Sequence, residues 1–129
     1  MAHSAGNPDP RLARFAQWSA ALRLQDMPAA AVAAVKNDVR DALGCALFGS
    51  RLPWSRAMLE AFAADAPGVG PVTVWGTGVK LPGTLAAMVN GACVQAFEMD
   101  TMHQLASLHA GATMLPVVLA IAEQRGNVS

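Results

Sequence analysis

Charge is what this sequence has least of. Lys, Arg, Asp and Glu make up 14% of 129 residues, nine basic against nine acidic, and the isoelectric point is near 6.8. A balance this even leaves no field to hold a polyanion, which argues against nucleic acid and anionic membrane surfaces as partners. Cysteine is nearly absent too. Cys45 and Cys93 stand alone, with no CxxC and no dense spacing, and read as buried thiols in a reducing cytoplasm. Residues 1–10 have neither a cationic start nor an apolar run before a small-residue cleavage site, so they are not a secretory signal; residues 1–9 read as a flexible tail. A long apolar run is also missing. Residues 101–122 carry no formal charge, but His103, Gln104, His109, Gly111 and Pro116 interrupt them. The unbroken part, residues 117–122, is far short of the ~20 residues a bilayer needs.

Apolar residues are abundant, at 53% of the chain, with mean hydropathy +0.33. That excludes disorder for the bulk of the sequence, and the length allows one domain at most, since domains mostly run to ~100–150 residues. So much apolar material with so little charge means either a large core or a surface that belongs against more protein.

The periodicity is helical. Asp9-Pro10 is a start signal, and Leu12, Phe15, Trp18 and Leu22 follow at three- and four-residue steps, predicting an amphipathic helix over 11–24. Asp26 and Pro28 repeat the signal. Val32, Val35, Val39, Leu43 and Leu47 then keep the period until Gly49, with Lys36, Asp38, Arg40 and Asp41 on a solvated face. Residues 54–64 form a shorter helix that buries Met58, Leu59 and Phe62. Residues 72–75 are the one β-like run, followed by Gly76-Thr77-Gly78, which lacks the full phosphate-loop spacing. Residues 83–97 are apolar or small almost all round, as in a helix buried on most sides. Residues 111–124 predict a last helix, with Pro116 in its first turn and Gly126 closing it. The fold class is therefore all-α, about five helices with one short β-like segment near 72–75.

Polar residues are scarce in the second half, so the cluster Gln95, Glu98, Asp100, His103 and His109 stands out. Continuing the helical period through Asp100 places Gln95, Glu98 and Met102 on one stripe, with His103 and His109 in the loop beyond. Carboxylates beside imidazoles in an apolar cleft suit proton transfer at carbon, because burial and charged neighbours bring pKa values toward neutrality. Two plainer readings compete. These side chains cap helix ends, or they bind a metal, although the spacing matches neither HExxH nor a closed zinc pattern. No Gly-x-Ser-x-Gly elbow surrounds Ser107, so it is not read as a nucleophile.

Residues 89–103, Val-Asn-Gly-Ala-Cys-Val-Gln-Ala-Phe-Glu-Met-Asp-Thr-Met-His, then His109-Ala110-Gly111, Leu115-Pro116 and Ala122-Glu123, resemble the signature of the MmgE/PrpD family. That pattern reads roughly NG-(x)3-HALDFDDTH, a short loop, HPS or HPG, and LP ahead of a helix ending in AE. Upstream, Asp41-Ala42-Leu43-Gly44 with Phe48-Gly49-Ser50 looks like the family's D-x-LG…aGs helix, and residues 72–78 like its V-x-G-x-G segment.

The resemblance implies an enzyme acting at carbon next to a carboxylate of a small polycarboxylic acid. The reactions are those of 2-methylcitrate dehydratase, cis-aconitate decarboxylase or iminodisuccinate epimerase, with no metal and no organic cofactor. It implies a large helical domain with an α/β lid, a homodimer, and a site between domain and lid. This chain, 1–129, would be the opening, incomplete part of that helical domain, with the lid downstream. Carried over by position, His109 is the acid or base facing the substrate, Glu98 and Asp100 are the two acidic positions, and His103 is the histidine closing the motif. Gln95 stands for a histidine, Thr101 for an aspartate and Met102 for a threonine, so Gln95 and Met102 are substrate-facing positions that differ from the pattern. The alternative is a non-catalytic helical fragment that acts by association, with itself or with a complementary chain.

Overall fold

The computed structural model describes residues 9–66 and 70–126, so the expected tail lies outside the described residues except for Asp9. The chain divides into two compact units, Met1–Ala34 and Val35–Ser129. The fold is mostly helical, as expected.

In the first unit, α1 (Pro10–Ala21) starts as its sequence dictates: Asp9 accepts the Arg11 N–H at 2.9 Å and proline occupies the first turn. Its apolar stripe is exposed, Leu12, Phe15 and Trp18 by more than half. A 3-10 turn follows at Leu24–Asp26, and here the expectation fails. Asp26 does not start the next helix but accepts the Arg23 N–H behind it at 3.2 Å. Helix α2 (Ala29–Gly49) begins instead from the Pro28 carbonyl, which takes the N–H groups of Ala31 and Val32.

In the second unit, α2 buries Ala42, Cys45, Ala46 and Gly49 rather than its large residues; Val35 and Leu47 are half exposed. The reason is backbone proximity. A Cβ at Gly49 would lie 1.9 Å from the Cys93 carbonyl oxygen, so this face of α2 admits only small side chains. Helix α3 (Pro53–Asp65) lays Met58, Leu59 and Phe62 on the core as predicted, and the Trp54 indole N–H donates to the Ala96 carbonyl at 3.2 Å.

The β-like run is a strand over Val72–Thr73 (β1) only. It pairs antiparallel with Lys80–Leu81 (β2), which no β-branched pattern announces. The reversal closes with the Val74 N–H donating to the Val79 carbonyl at 2.8 Å. Gly76 and Gly78 both take positive φ, which glycine adopts without strain.

The core is centred on α4 (Gly83–Gln95), which buries Ala86, Val89, Asn90, Cys93 and Val94. Asn90 fastens the hairpin: its Oδ1 accepts the Trp75 N–H at 2.9 Å and its Nδ2 donates to the Thr73 carbonyl at 3.0 Å. The predicted last helix is divided at Met114 into a single turn, α5 (Ala110–Thr113), and α6 (Leu115–Arg125), with Pro116 in the first turn of α6. Proline has no N–H for the Ala112 carbonyl, so the ladder breaks there. That carbonyl faces Gly91, where a Cβ would come within 2.7 Å of it. Glu123 of α6 grips the hairpin, accepting the Thr73 N–H at 2.9 Å and its hydroxyl at 2.6 Å, with Lys80 at 3.5 Å. These hydrogen bonds, with Lys80 alongside, hold its carboxyl below the usual carboxylate range. Gly126 closes α6 with φ +63.

Apolar surface remains exposed after Pro82 as well as before it. Met88, Met114, Val117, Val118 and Ile121 are each about half exposed, and several of them border an apolar groove between α4 and α6. No helix among the described residues is long and apolar enough to cross a membrane.

Candidate functional site

The site lies in residues 96–109, between α4 and α5. Helix α4 stops at Gln95, and Glu98 adopts φ +58, a left-handed conformation. The expected stripe of Gln95, Glu98 and Met102 is therefore not formed, because the helical period ends before Glu98. Gln95 lines the groove between α4 and α6, while Glu98 and Met102 are exposed. The chain leaves the helix past Phe97, whose ring packs on Phe48 with centroids 4.6 Å apart.

Asp100 then turns inward. Its side chain is 1% exposed, and Oδ2 lies 3.0 Å from Nδ1 of His109, whose side chain is 19% exposed. A carboxylate without its proton can only accept, so in that state the proton of this bond sits on Nδ1 and Nε2 is the ring nitrogen left for a substrate. The second oxygen, Oδ1, is buried and receives no hydrogen bond among the described residues. His109 occupies the N-cap position of α5, yet its side chain caps nothing. The helix-capping reading thus fails for His109.

His103 behaves differently. It pairs with Leu108 in an isolated antiparallel bridge, and its Nδ1 accepts the Ala106 N–H at 3.2 Å, closing a tight turn in which Ser107 has φ +48. It is exposed, and no hydrogen bond joins it to the Asp100–His109 pair. Of the six singled-out residues, the structure brings together Asp100 and His109 and leaves the other four apart from them.

Two residues outside the expected set border the pair. Asp41 of α2 accepts both the N–H and the hydroxyl of Thr101 on Oδ2, at 3.2 and 3.0 Å. Cys45, one turn on, has its thiol pushed up by burial and then by the negative charges of Asp41 and Asp100. Burial likewise raises Cys93. Both thiols are buried and unpaired, as the sequence predicted. Helical period could not single out Asp41, since an acid on the outer face of a helix is ordinarily solvated; its partner is sixty residues away. No group of three or more His, Cys, Asp or Glu side chains among the described residues could hold a metal.

Residues 13–129 match the model of the MmgE/PrpD N-terminal domain. Among curated proteins, the chain is 36% identical to a cis-aconitate decarboxylase of Aspergillus terreus (strain NIH 2624 / FGSC A1156) over 111 residues, covering 86% of the chain and 22% of that protein. It is 37% identical to another Aspergillus terreus cis-aconitate decarboxylase over 106 residues, 82% of the chain and 21% of that protein. It is 33% identical to the cis-aconitate decarboxylase-like protein oryM of Aspergillus oryzae (strain ATCC 42149 / RIB 40), over 86% of the chain and 23% of that protein. The chain thus spans about a fifth of the length of these relatives. No solved structure matches it.

Proposed function

From the premise that this chain belongs to the MmgE/PrpD family through its N-terminal domain, we propose that the complete protein is a cofactor-independent lyase. It acts on a small polycarboxylic acid by proton transfer at carbon next to a carboxylate. The observation that carries this reading is the His109–Asp100 pair, a partly exposed imidazole held at one nitrogen by a buried carboxylate.

The chemistry follows from that arrangement. Asp100 fixes the ring orientation and its tautomer, which leaves Nε2 to exchange a proton with substrate. In a decarboxylation, loss of carbon dioxide leaves an electron pair that must take a proton at carbon, and His109 supplies it as an acid. In a dehydration, the same nitrogen removes the proton α to a carboxylate. The names of the relatives favour decarboxylation of a cis-aconitate-like acid. Glu98, Met102, His103 and Gln95 are proposed to border the substrate once the site is complete, with Met102 adding apolar bulk at its mouth.

On this reading residues 1–129 form an incomplete helical domain, completed by a lid that supplies cations for the substrate carboxylates. The protein works as a homodimer in the cytoplasm; two separate, unpaired thiols are compatible with a reducing compartment. A second reading, association without catalysis, is supported by the half-exposed Val117, Val118 and Ile121 on α6.

The test is a panel of cis-aconitate, citrate-like and substituted succinic acids assayed with the complete protein and with His109→Ala. Turnover that falls at least ~10²-fold in the variant is expected, the usual size of a general acid–base contribution. Equal turnover would remove His109 from the mechanism. No turnover on any acid, with a stable assembly in sedimentation, would favour the second reading.

A further inference from the structure

Asp41 stands on a turn of α2 that reaches both sides of the His109–Asp100 pair. On one side it receives two hydrogen bonds from Thr101, the residue next to Asp100. On the other, its neighbour Ala42 touches the second residue after His109: a Cβ at Gly111 would lie 3.4 Å from that of Ala42, ordinary contact. Between them Cys45 is close enough to feel the charges of Asp41 and Asp100 together. The turn itself is anchored, with Ala42, Cys45 and Ala46 all buried.

Residues 96–109 have few other fixed points. Met99 and Leu105 are strongly exposed, and the 103–108 turn is bonded within itself. The Asp100 side chain has a single bond, to His109, which cannot hold both of its own ends in place. Something must fix the backbone from which Asp100 projects, and the two Thr101 bonds to a carboxylate on an anchored helix do so. Charge assistance makes such bonds stronger than neutral ones.

We propose that Asp41 is a positioning residue for the His109–Asp100 pair, acting through Thr101. This rests on the functional reading above for its kinetic consequence, but not for its structural one. A pair displaced by a fraction of an ångström keeps its substrate affinity better than its turnover, because proton transfer is the step most sensitive to geometry.

In the complete protein, Asp41→Ala and Thr101→Val are each expected to lower kcat by about tenfold or more while KM moves less than about threefold. Thr101→Ser keeps the hydroxyl and retains near-normal kcat. A second readout needs no turnover. With 15N-labelled histidine, the low-field Nδ1–H signal, assigned by its loss in His109→Gln, is expected to weaken or broaden in Asp41→Ala and Thr101→Val but not in Thr101→Ser. Should Asp41→Ala fail to fold, Thr101→Val at an exposed position carries the test. Unchanged kcat and an unchanged signal in the folded variants would overturn the proposal, as would an equal loss in Thr101→Ser. Full activity in His109→Ala would instead overturn the functional reading, leaving the Nδ1–H signal to decide the role of Asp41.

Discussion

Asp100 and His109 share a 3.0 Å contact in which the carboxylate is shut away from solvent and the imidazole is not. That asymmetry gives the two residues different jobs. The acid can only support; the base can meet a substrate.

The first prediction concerns the cost of that support. Asp100 Oδ1 is buried without a donor among the described residues, and an unmet buried acceptor costs about 1–3 kcal/mol. In Asp100→Asn the charge disappears, and the amide oxygen can still take the His109 proton. Thermal melting should show a midpoint equal to or above the wild type. Turnover should fall by at least about tenfold, because the amide can also present N–H to His109 and select the wrong tautomer. A variant that melts lower and stays active would contradict both halves.

The second concerns Glu98. Its left-handed backbone costs a non-glycine residue about 1–2 kcal/mol, of which glycine recovers part after its own larger unfolded-state entropy. Glu98→Gly should therefore be more stable by about 0.5–1 kcal/mol in urea titrations. Its turnover should fall where the carboxylate borders the substrate. Loss of stability would show that the side chain contributes more than its exposed position suggests.

The third concerns pH. Glu123 has a folded pKa below its unfolded one, so its stabilisation is complete above the ordinary carboxylate range and is lost as pH falls through the lowered value. Glu123→Gln should remove that part of the acid sensitivity. Near neutral pH it should cost about 1 kcal/mol, since a partly exposed carboxylate is screened by solvent. Chemical denaturation at pH 7 and at pH 3 compares the two proteins: the gap between them should narrow at the lower pH. A gap that widens would refute the assignment.

Much of the fold was legible in the sequence because helical period and start signals are local. The N-cap at Asp9, the start of α4, the core face of α3 and the glycine end of α6 were all within reach. Where backbone approached backbone, period misled: α2 was expected to bury Val35 and Leu47, but Gly49 lies against Cys93 and the small face went inward. The second strand belongs to a hairpin fastened by a side chain distant in sequence, Asn90, whereas the break at Met114 follows from Pro116 and leaves the Ala112 carbonyl to face Gly91. The site was legible as a list of residues but not as an arrangement. Period carried Glu98 onto a helix that had already ended, whereas the bonds that sort Asp100 and His109 from His103 come from the turns between them.

Three consecutive duties fall within four residues of α4. Asn90 binds the hairpin, Gly91 admits the Ala112 carbonyl, and Cys93 lies against Gly49. Each faces a different neighbour, and each direction is fixed by the 100° advance per residue of an α-helix. Side chains that carry none of these duties can change one at a time, but the length of the helix cannot. One residue inserted after Val89 would turn all three contacts out of phase together, and one inserted after Cys93 would turn the start of the His109 loop instead. Variation along this helix is therefore a matter of substitution, and the exposed turn beyond His103 offers room for insertions.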